Sequence, residues 1–270
     1  MTGLQTFTHP YLGIYTKCFL WQTDHFNIWI DSGLRSGWEP LLPLLSDRRH
    51  NVLLLTHGHW DHIGGVHLLR EHGGTVYGHP ADRPLLTDLE WHWQLLFGQF
   101  REDFSLPAAR ESTFRASVEA PADLDQPVAE GDMLCFDQLR FRVLETPGHS
   151  RGSVCYLEEG SKTLFTGDTL WFGADGGYSF ISSLAEDNKL AVQSLAELER
   201  KLRARGLHPY FITGHTGWTD NFAFAFAHKD KSCSPFKKRV HDPSAPYDAY
   251  DESDDTEENA KSGFLKGVGR

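Results

Sequence analysis

Four apolar runs in this chain end in the same way. "NVLLLTHGHWDH", "FRVLETPGHS", "KTLFTGDT" and "PYFITGHT" each pass from apolar residues into Thr, then within one to three residues reach a His or an Asp with Gly close by. In a sheet covered by helices, ligands gather outside the strand ends. Four buried strands ending at one edge would bring His57, His59, Asp61, His62, His149, Asp168 and His215 together. The glycines let the backbone turn sharply, so that imidazoles and carboxylates point back to one centre.

Five histidines and two carboxylates, with no cysteine, suit a divalent ion such as zinc, or iron or manganese. Seven ligands are too many for one tetrahedral ion and about right for two that share a bridge. His57 and His59, at i and i+2 on an extended segment, face the same way; with His149 they make a three-histidine site. Asp61 and His62 with His215 make the second site. Asp168, with two oxygens, can bridge both ions. A single His near a strand end is ordinarily a capped or half-buried residue. The HxHxDH cluster is different, because so many polar groups beside a buried strand are costly to desolvate without a partner.

The remaining chain reads as one large core or two small ones, with 270 residues at 40% hydrophobic content. "FNIWIDSG" is an apolar run ending in a turn, and the first 31 residues read as two or three strands. Ile63, Val66 and Leu69 followed by Gly73-Gly74 predict a short helix. "TVYGH" is the next strand. From Ala81 to Ala120, Leu85, Leu89, Trp93, Leu96, Phe100 and Phe104 trace one apolar helical face. That face either packs on the body of the domain or belongs to an insert that overhangs the site. "MLCF", "LRFRVLET", "SVCYLE" and "TLFTGD" are strands, and Asp187 to Arg205 is a helix with Gly206 after it. "FAFAFAH" fits a strand or a helix. The expected layout is a catalytic domain over 1–227 with its helical insert at about 81–120. A basic segment over 228–240 follows, then an acidic, disordered tail over 241–270.

Charge and cysteine use narrow the partners. The net charge is -11, and residues 241–270 hold eight Asp or Glu against three Lys or Arg. Phosphates are repelled by such a chain on average, which disfavours nucleic acid. No apolar run approaches bilayer length. Cys18, Cys135, Cys155 and Cys233 form no CxxC pair, and "MTGLQTFTHP" has no basic stretch followed by an apolar one. Both observations fit a cytoplasmic protein. The expected partner is a small-molecule substrate, and no pattern in the sequence sets an oligomeric state.

"THGHWDHIGG", "TPGHSRGS", "TGDTLWFG" and "TGHT", in this order and rough spacing, resemble the metallo-β-lactamase superfamily over about residues 10 to 220. The resemblance implies an α/β fold, a four-layer αβ/βα sandwich with two mixed sheets face to face and a dinuclear metal site at one edge. It carries over the seven ligands as assigned above. "IDSG" resembles the family's early Asp-x-Gly turn, which implies that Asp31 supports a ligand from behind. "GDTLWFGADGG" resembles the stretch after the bridging aspartate in glyoxalase II, a thioesterase acting on glutathione conjugates. Lys237, Lys238 and Arg239 stand either as the basic residues that branch uses for glutathione or as a solvated charge run.

The expected activity is therefore hydrolysis of a small ester, thioester or lactone by a hydroxide bridging two divalent ions, zinc first among them. Asp61 would orient the hydroxide and shuttle a proton. No GxSxG nucleophile motif is present. The alternatives are a phosphodiesterase at the same site and a metal-containing ligand-binding module. Arg151, Tyr178, Trp91 and Trp93 are the candidate substrate contacts; Arg151 would clamp a carboxylate or phosphate, or else form an ordinary surface ion pair.

Overall fold

The computed structural model describes residues 3–11, 14–103, 108–180 and 184–233. Strands β1 (Leu4–Tyr11), β2 (Ile14–Gln22), β3 (Phe26–Ile30), β4 (His50–Leu54), β5 (Thr75–Gly78) and β6 (Gln126–Pro127) form one sheet in chain order. The first three pair antiparallel, and β3 to β6 pair parallel. β7 (Met133–Phe136), β8 (Leu139–Glu145), β9 (Val154–Glu158) and β10 (Thr163–Phe165) open a second sheet. Between them and the strands that complete it, β11 (Trp171–Gly173) and β12 (Gly176–Ser179) make a hairpin. β13 (Tyr210–Ile212) and β14 (Trp218–Thr219) complete the second sheet, and β15 (His228–Ser232) pairs with β12.

Side-chain alternation explains why the two sheets stack. On β3 and β4, Ile28, Ile30, Val52 and Leu54 meet Phe141, Val143, Val154, Tyr156, Phe165 and Ile212 of the other sheet in one buried cluster. Their alternates Trp29, Leu53 and Leu55 turn outward. There they pack with Leu69 of α2 (Val66–Glu71), which follows α1 (Leu42–Leu45), and with Leu85 and Leu86 of α3 (Arg83–Thr87). On the far face, Leu157, Leu164 and Phe211 pack against Leu195, Leu198 and Leu202. Those leucines lie on the helix Asn188–Ala204, which Asp187 caps by accepting from the Leu190 N–H at 2.9 Å. Helices thus cover both outer faces of a two-sheet sandwich, the metallo-β-lactamase fold.

The helical insert differs from one continuous helix. It comprises α3, α4 (Leu89–Asp103) and α5 (Ala108–Arg115), so the Asn188–Ala204 helix is α6. The break falls at Asp88, whose carboxylate accepts from the Trp91 N–H at 3.0 Å and so caps α4. The side chains of Phe100 and Phe104 lie outside the described residues. Leu85, Leu89, Trp93 and Leu96 do share one cluster, and it is the core on the outer face of the first sheet. "FAFAFAH" resolves as a short helix, α7 (Phe222–Ala225), started by Asn221 accepting from the Phe224 N–H. The basic segment at 228–240 begins with β15, so these five residues belong to the fold; residues 234–270, with Lys237, Lys238, Arg239 and the acidic tail, lie outside the described residues. Among the described residues, no helix is long and apolar enough to cross a membrane.

Candidate metal centre

Strand register sets the site. β3 and β4 run parallel with Ile30 opposite Leu54, so the residues just beyond them, Asp31 and Thr56, emerge side by side. β10 and β13 end level, with Phe165 opposite Ile212, which brings the Asp168 and His215 turns together. Gly214 N donates to Gly167 O at 3.0 Å between those turns. Gly167 sits at φ +49, and a Cβ there would lie 2.2 Å from Thr56 Oγ1. A Cβ on Gly214 would lie 2.6 Å from Asp168 Oδ1 and 2.8 Å from His62 Cε1. Only residues without a side chain let these two turns close on the histidine loop.

All seven strand-end residues converge. His57, His59 and His149 form one group, Asp61, His62 and His215 another, and His57, His62 and Asp168 a third that links them, with potential ligand atoms within 4.8 Å in each. Asp168 Oδ2 lies 3.1 Å from His215 Nε2, 3.3 Å from His149 Nε2 and 3.8 Å from His57 Nε2, and Oδ1 lies 3.4 Å from His62 Nε2. Asp61 Oδ2 lies 3.4 Å from His215 Nε2 and 3.7 Å from His62 Nε2. Four ligands set tetrahedrally about 2.1 Å from a zinc-sized ion lie about 3.4 Å apart, so the spacing fits metal coordination.

Polar accounting supports that fit. His57 Nε2 and Asp168 Oδ1 are buried with no hydrogen-bond partner, an arrangement that costs free energy unless something binds there. Burial, then the charges of the neighbouring imidazoles, holds His57 and His59 well below the usual histidine range, so both present lone pairs. Burial also opposes charge on His62 and Asp168. For His62 the carboxylates Asp168, Asp61 and Asp31 outweigh it and hold the ring well above its usual range. For Asp168 the His215 and His62 rings outweigh it and hold the carboxyl well below. Asp31, Asp61 and Asp168 are all buried beside these rings. Such a set takes its neutralising charge from protons or from divalent cations in their place.

Surrounding groups orient the rings. Asp31, at φ +53, accepts from Thr56 N at 2.7 Å and Thr56 Oγ1 at 2.8 Å, and its Oδ2 meets His62 Nδ1 at 2.9 Å. His57 Nδ1 meets Thr56 Oγ1 at 3.1 Å, and His215 Nδ1 donates to the Tyr15 carbonyl. Ser32 Oγ and Ser32 N both donate to His62 O at 2.8 Å.

Four positions escape the sequence pattern. Asp82 is 3% exposed, and its carboxylate accepts from Gly58 N at 2.8 Å, Ser150 Oγ at 2.6 Å and Gly152 N at 2.6 Å. It ties the loop between His57 and His59 to the loop after His149. Its signal was present in "TVYGHPAD", a fifth apolar run ending in Gly, His and Asp at the same edge. Phe180 stands with its ring 4.5 Å from that of His149 and 5.5 Å from that of His215, and Trp171 is 5.1 Å from Phe180. These two form an apolar wall beside the cluster. His92 of α4 is 1% exposed, and burial pushes its pKa down to about 4.

The candidate substrate contacts fall elsewhere. Arg151 points outward and pairs through Nε with Glu186 at 3.1 Å, the ordinary ion pair. Tyr178 is buried, with its hydroxyl donating to the Asp175 carboxylate and its ring stacked on His228. Trp93 is buried in the core, stacked on His92 and Phe97, because its spacing of four and three places it on the core face. Trp91 is half-buried at the edge of the same cluster.

Comparison with known proteins places this geometry in a family. Residues 13–231 match the family model described as the metallo-beta-lactamase superfamily. The chain is 34% identical over 136 residues to the hydroxyacylglutathione hydrolase GloC of Haemophilus influenzae, covering 50% of this chain and 56% of that protein. It is 28% identical over 243 residues to the acyl-coenzyme A thioesterase MBLAC2 of Gallus gallus, covering 80% of this chain and 82% of that protein. A metallo-beta-lactamase family protein from Thermus thermophilus shares the fold with a TM-score of 0.64 at 22% identity, over 83% of this chain and 77% of that one. With the strand ends, the sandwich and the family match in agreement, the chain belongs to the metallo-beta-lactamase superfamily.

Proposed function

We propose that the chain hydrolyses a small thioester at a dinuclear metal centre. His57, His59 and His149 would hold one ion, Asp61, His62 and His215 the other, and Asp168 would serve both. The convergence of these seven side chains at metal-ligand spacing carries the reading. Two relatives whose names describe thioester hydrolysis, on glutathione and coenzyme A conjugates, support the substrate class. Zinc fits the donor set best, and iron and manganese are compatible with it.

What a bound pair supplies is Lewis acidity, enough to ionise a water near neutral pH and to polarise an acyl carbonyl. The residues do the rest. Asp168 and Asp61 put negative charge where the cations are held. Asp61 takes the proton that the attacking water loses and returns it as the thiolate leaves, so one C–O bond forms and one C–S bond breaks. Asp31 holds His62 through Nδ1 and keeps Nε2 directed inward. Phe180 and Trp171 keep bulk water from the cluster and strengthen its electrostatics.

Thiol release from acyl-coenzyme A and acylglutathione substrates, followed with a chromogenic disulfide, tests this reading. Lactones and bis-p-nitrophenyl phosphate serve as comparison substrates. The expected result is thioester turnover that a chelator abolishes and added zinc restores. Turnover of the phosphodiester alone would replace the thioester reading, and no chelator-sensitive turnover on any substrate would refute the enzyme reading.

A further inference from the structure

We infer that His92, carried by the helical insert, is the acceptor that fixes ligand His59 in the tautomer and orientation the metal centre requires. The inference rests on the metal-centre reading above. His92 Nδ1 faces the Leu85 carbonyl at 2.9 Å. A carbonyl can only accept, so Nδ1 carries the ring proton and Nε2 carries the lone pair. That Nε2 is buried and has no partner, a cost of about 1–3 kcal/mol for an unsatisfied acceptor. The ring beside it is His59, with centroids 6.2 Å apart and planes tilted by 37°.

His59 has the matching need. Its Nδ1 points into the cluster, 2.8 Å from His149 Nε2. Once Nδ1 gives its lone pair to a metal, Nε2 must carry the proton and find an acceptor. His57, His62 and His215 already have partners at their other ring nitrogen: Thr56 Oγ1, Asp31 and the Tyr15 carbonyl. Among the described residues, no hydrogen bond reaches His59 Nε2. Two imidazoles joined by an N–H···N bond have centroids about 5 Å apart, so the pair closes with a shift of about 1 Å. The chain then runs from ligand His59 through His92 to the backbone of α3, and it ties the insert to the metal centre. His92 is a positioning residue in this scheme, and it lies between the two tryptophans that the sequence marks as substrate contacts.

The test compares wild type, His92→Phe and His92→Gln loaded with Co²⁺. Affinity is read by competition with a chromophoric chelator, ligand geometry by the visible d–d spectrum, and folding by the urea midpoint. Phenylalanine keeps the volume and the stacking but removes the acceptor. Affinity for one of the two ions should fall about tenfold to a hundredfold, with an altered spectrum. Glutamine, accepting from His59 and donating to Leu85, should restore both to near the wild-type values. A folded His92→Phe protein that binds both ions with wild-type affinity and spectrum would overturn the inference, as would a glutamine variant no better than phenylalanine. A wild-type protein that binds no Co²⁺ would instead overturn the metal-centre reading on which the inference rests.

Discussion

At the scale of single residues, Asp82 shows how the centre is built from segments far apart in the chain. Its two oxygens take two backbone N–H groups and one hydroxyl, from loops that bear His57, His59 and His149. Removing a buried acceptor leaves those donors unpaired, at about 1–3 kcal/mol each for such groups. Asp82→Ala should therefore lower unfolding stability by about 3 kcal/mol and weaken metal binding, measured by urea titration and chelator competition. An unchanged midpoint with unchanged metal affinity would remove the clamp from the account. The seven strand-end residues were legible in the sequence because metal ligands are drawn from few residue types and must sit where strands end. Phe180 and His92 were not, because their partners are rings and backbone groups on other segments, and such pairings leave no period in the chain. Asp82 stood in "TVYGHPAD" at the same edge, but its backbone partners on other loops had no mark in the chain. Arg151 illustrates the converse: its position beside His149 suggested a clamp, yet its charge is paired with Glu186.

At the scale of elements, several strands followed from apolar runs and the helix α6 from its apolar face and the glycine after it, while the insert did not follow in full. Leu85 and Leu89 keep helical spacing across the end of α3 and the start of α4, so periodicity runs through a real break at Asp88. The backbone there leaves the helical region, at φ -122 and ψ 80, and the Asp88 side chain opens the next helix. Asp88→Ala should cost about 1 kcal/mol, the usual value for a lost N-cap, seen as a lower urea midpoint with both metals retained. A variant that lost a metal ion would show the break to be part of the site. The insert is mainly core: Trp93, Leu96 and Phe97 are buried against the first sheet's outer face. Phe114 of α5 makes the insert's closest ring contact with the ligand loop, 4.9 Å from the Trp60 ring, and His92 is the insert residue whose ring neighbours a ligand, His59.

For the whole molecule, the gathering of strand ends at one edge was legible from their repeated form, while the two-sheet sandwich and its connectivity came through resemblance to a family. Folding also buries histidines of opposed character. Burial lowers His9 and His92 to about 4 and holds His57 and His59 well below their usual range. Between pH of about 6.5 and 4 the unfolded chain takes up protons there that the folded metal-free protein refuses, so stability falls as pH falls. His62, held above its usual range by its carboxylate neighbours, acts the other way: its contribution is full below pH of about 6.5 and is lost as pH rises through its folded pKa. Glu186, pushed up to about 7 by burial, and Asp82, also raised by burial, act in the same sense as His62, and the four lowered histidines outweigh these three. The urea midpoint of the metal-free protein should therefore drop from pH 7 to pH 4.5, by about 1.4 kcal/mol per unit of pH for each net proton. A midpoint that rose towards acid would contradict this reading of the buried histidines.

The two halves of the site make a numerical claim, since the three-histidine group and the Asp61, His62 and His215 group meet at Asp168. Metal content per chain, by elemental analysis of zinc-saturated protein after desalting, tests it most directly. The account predicts two ions per chain for the wild type and a clear loss when Asp168 is replaced by Ala. A ratio of one or fewer in the saturated wild type, or two retained in Asp168→Ala, would contradict a centre in which Asp168 joins two ions.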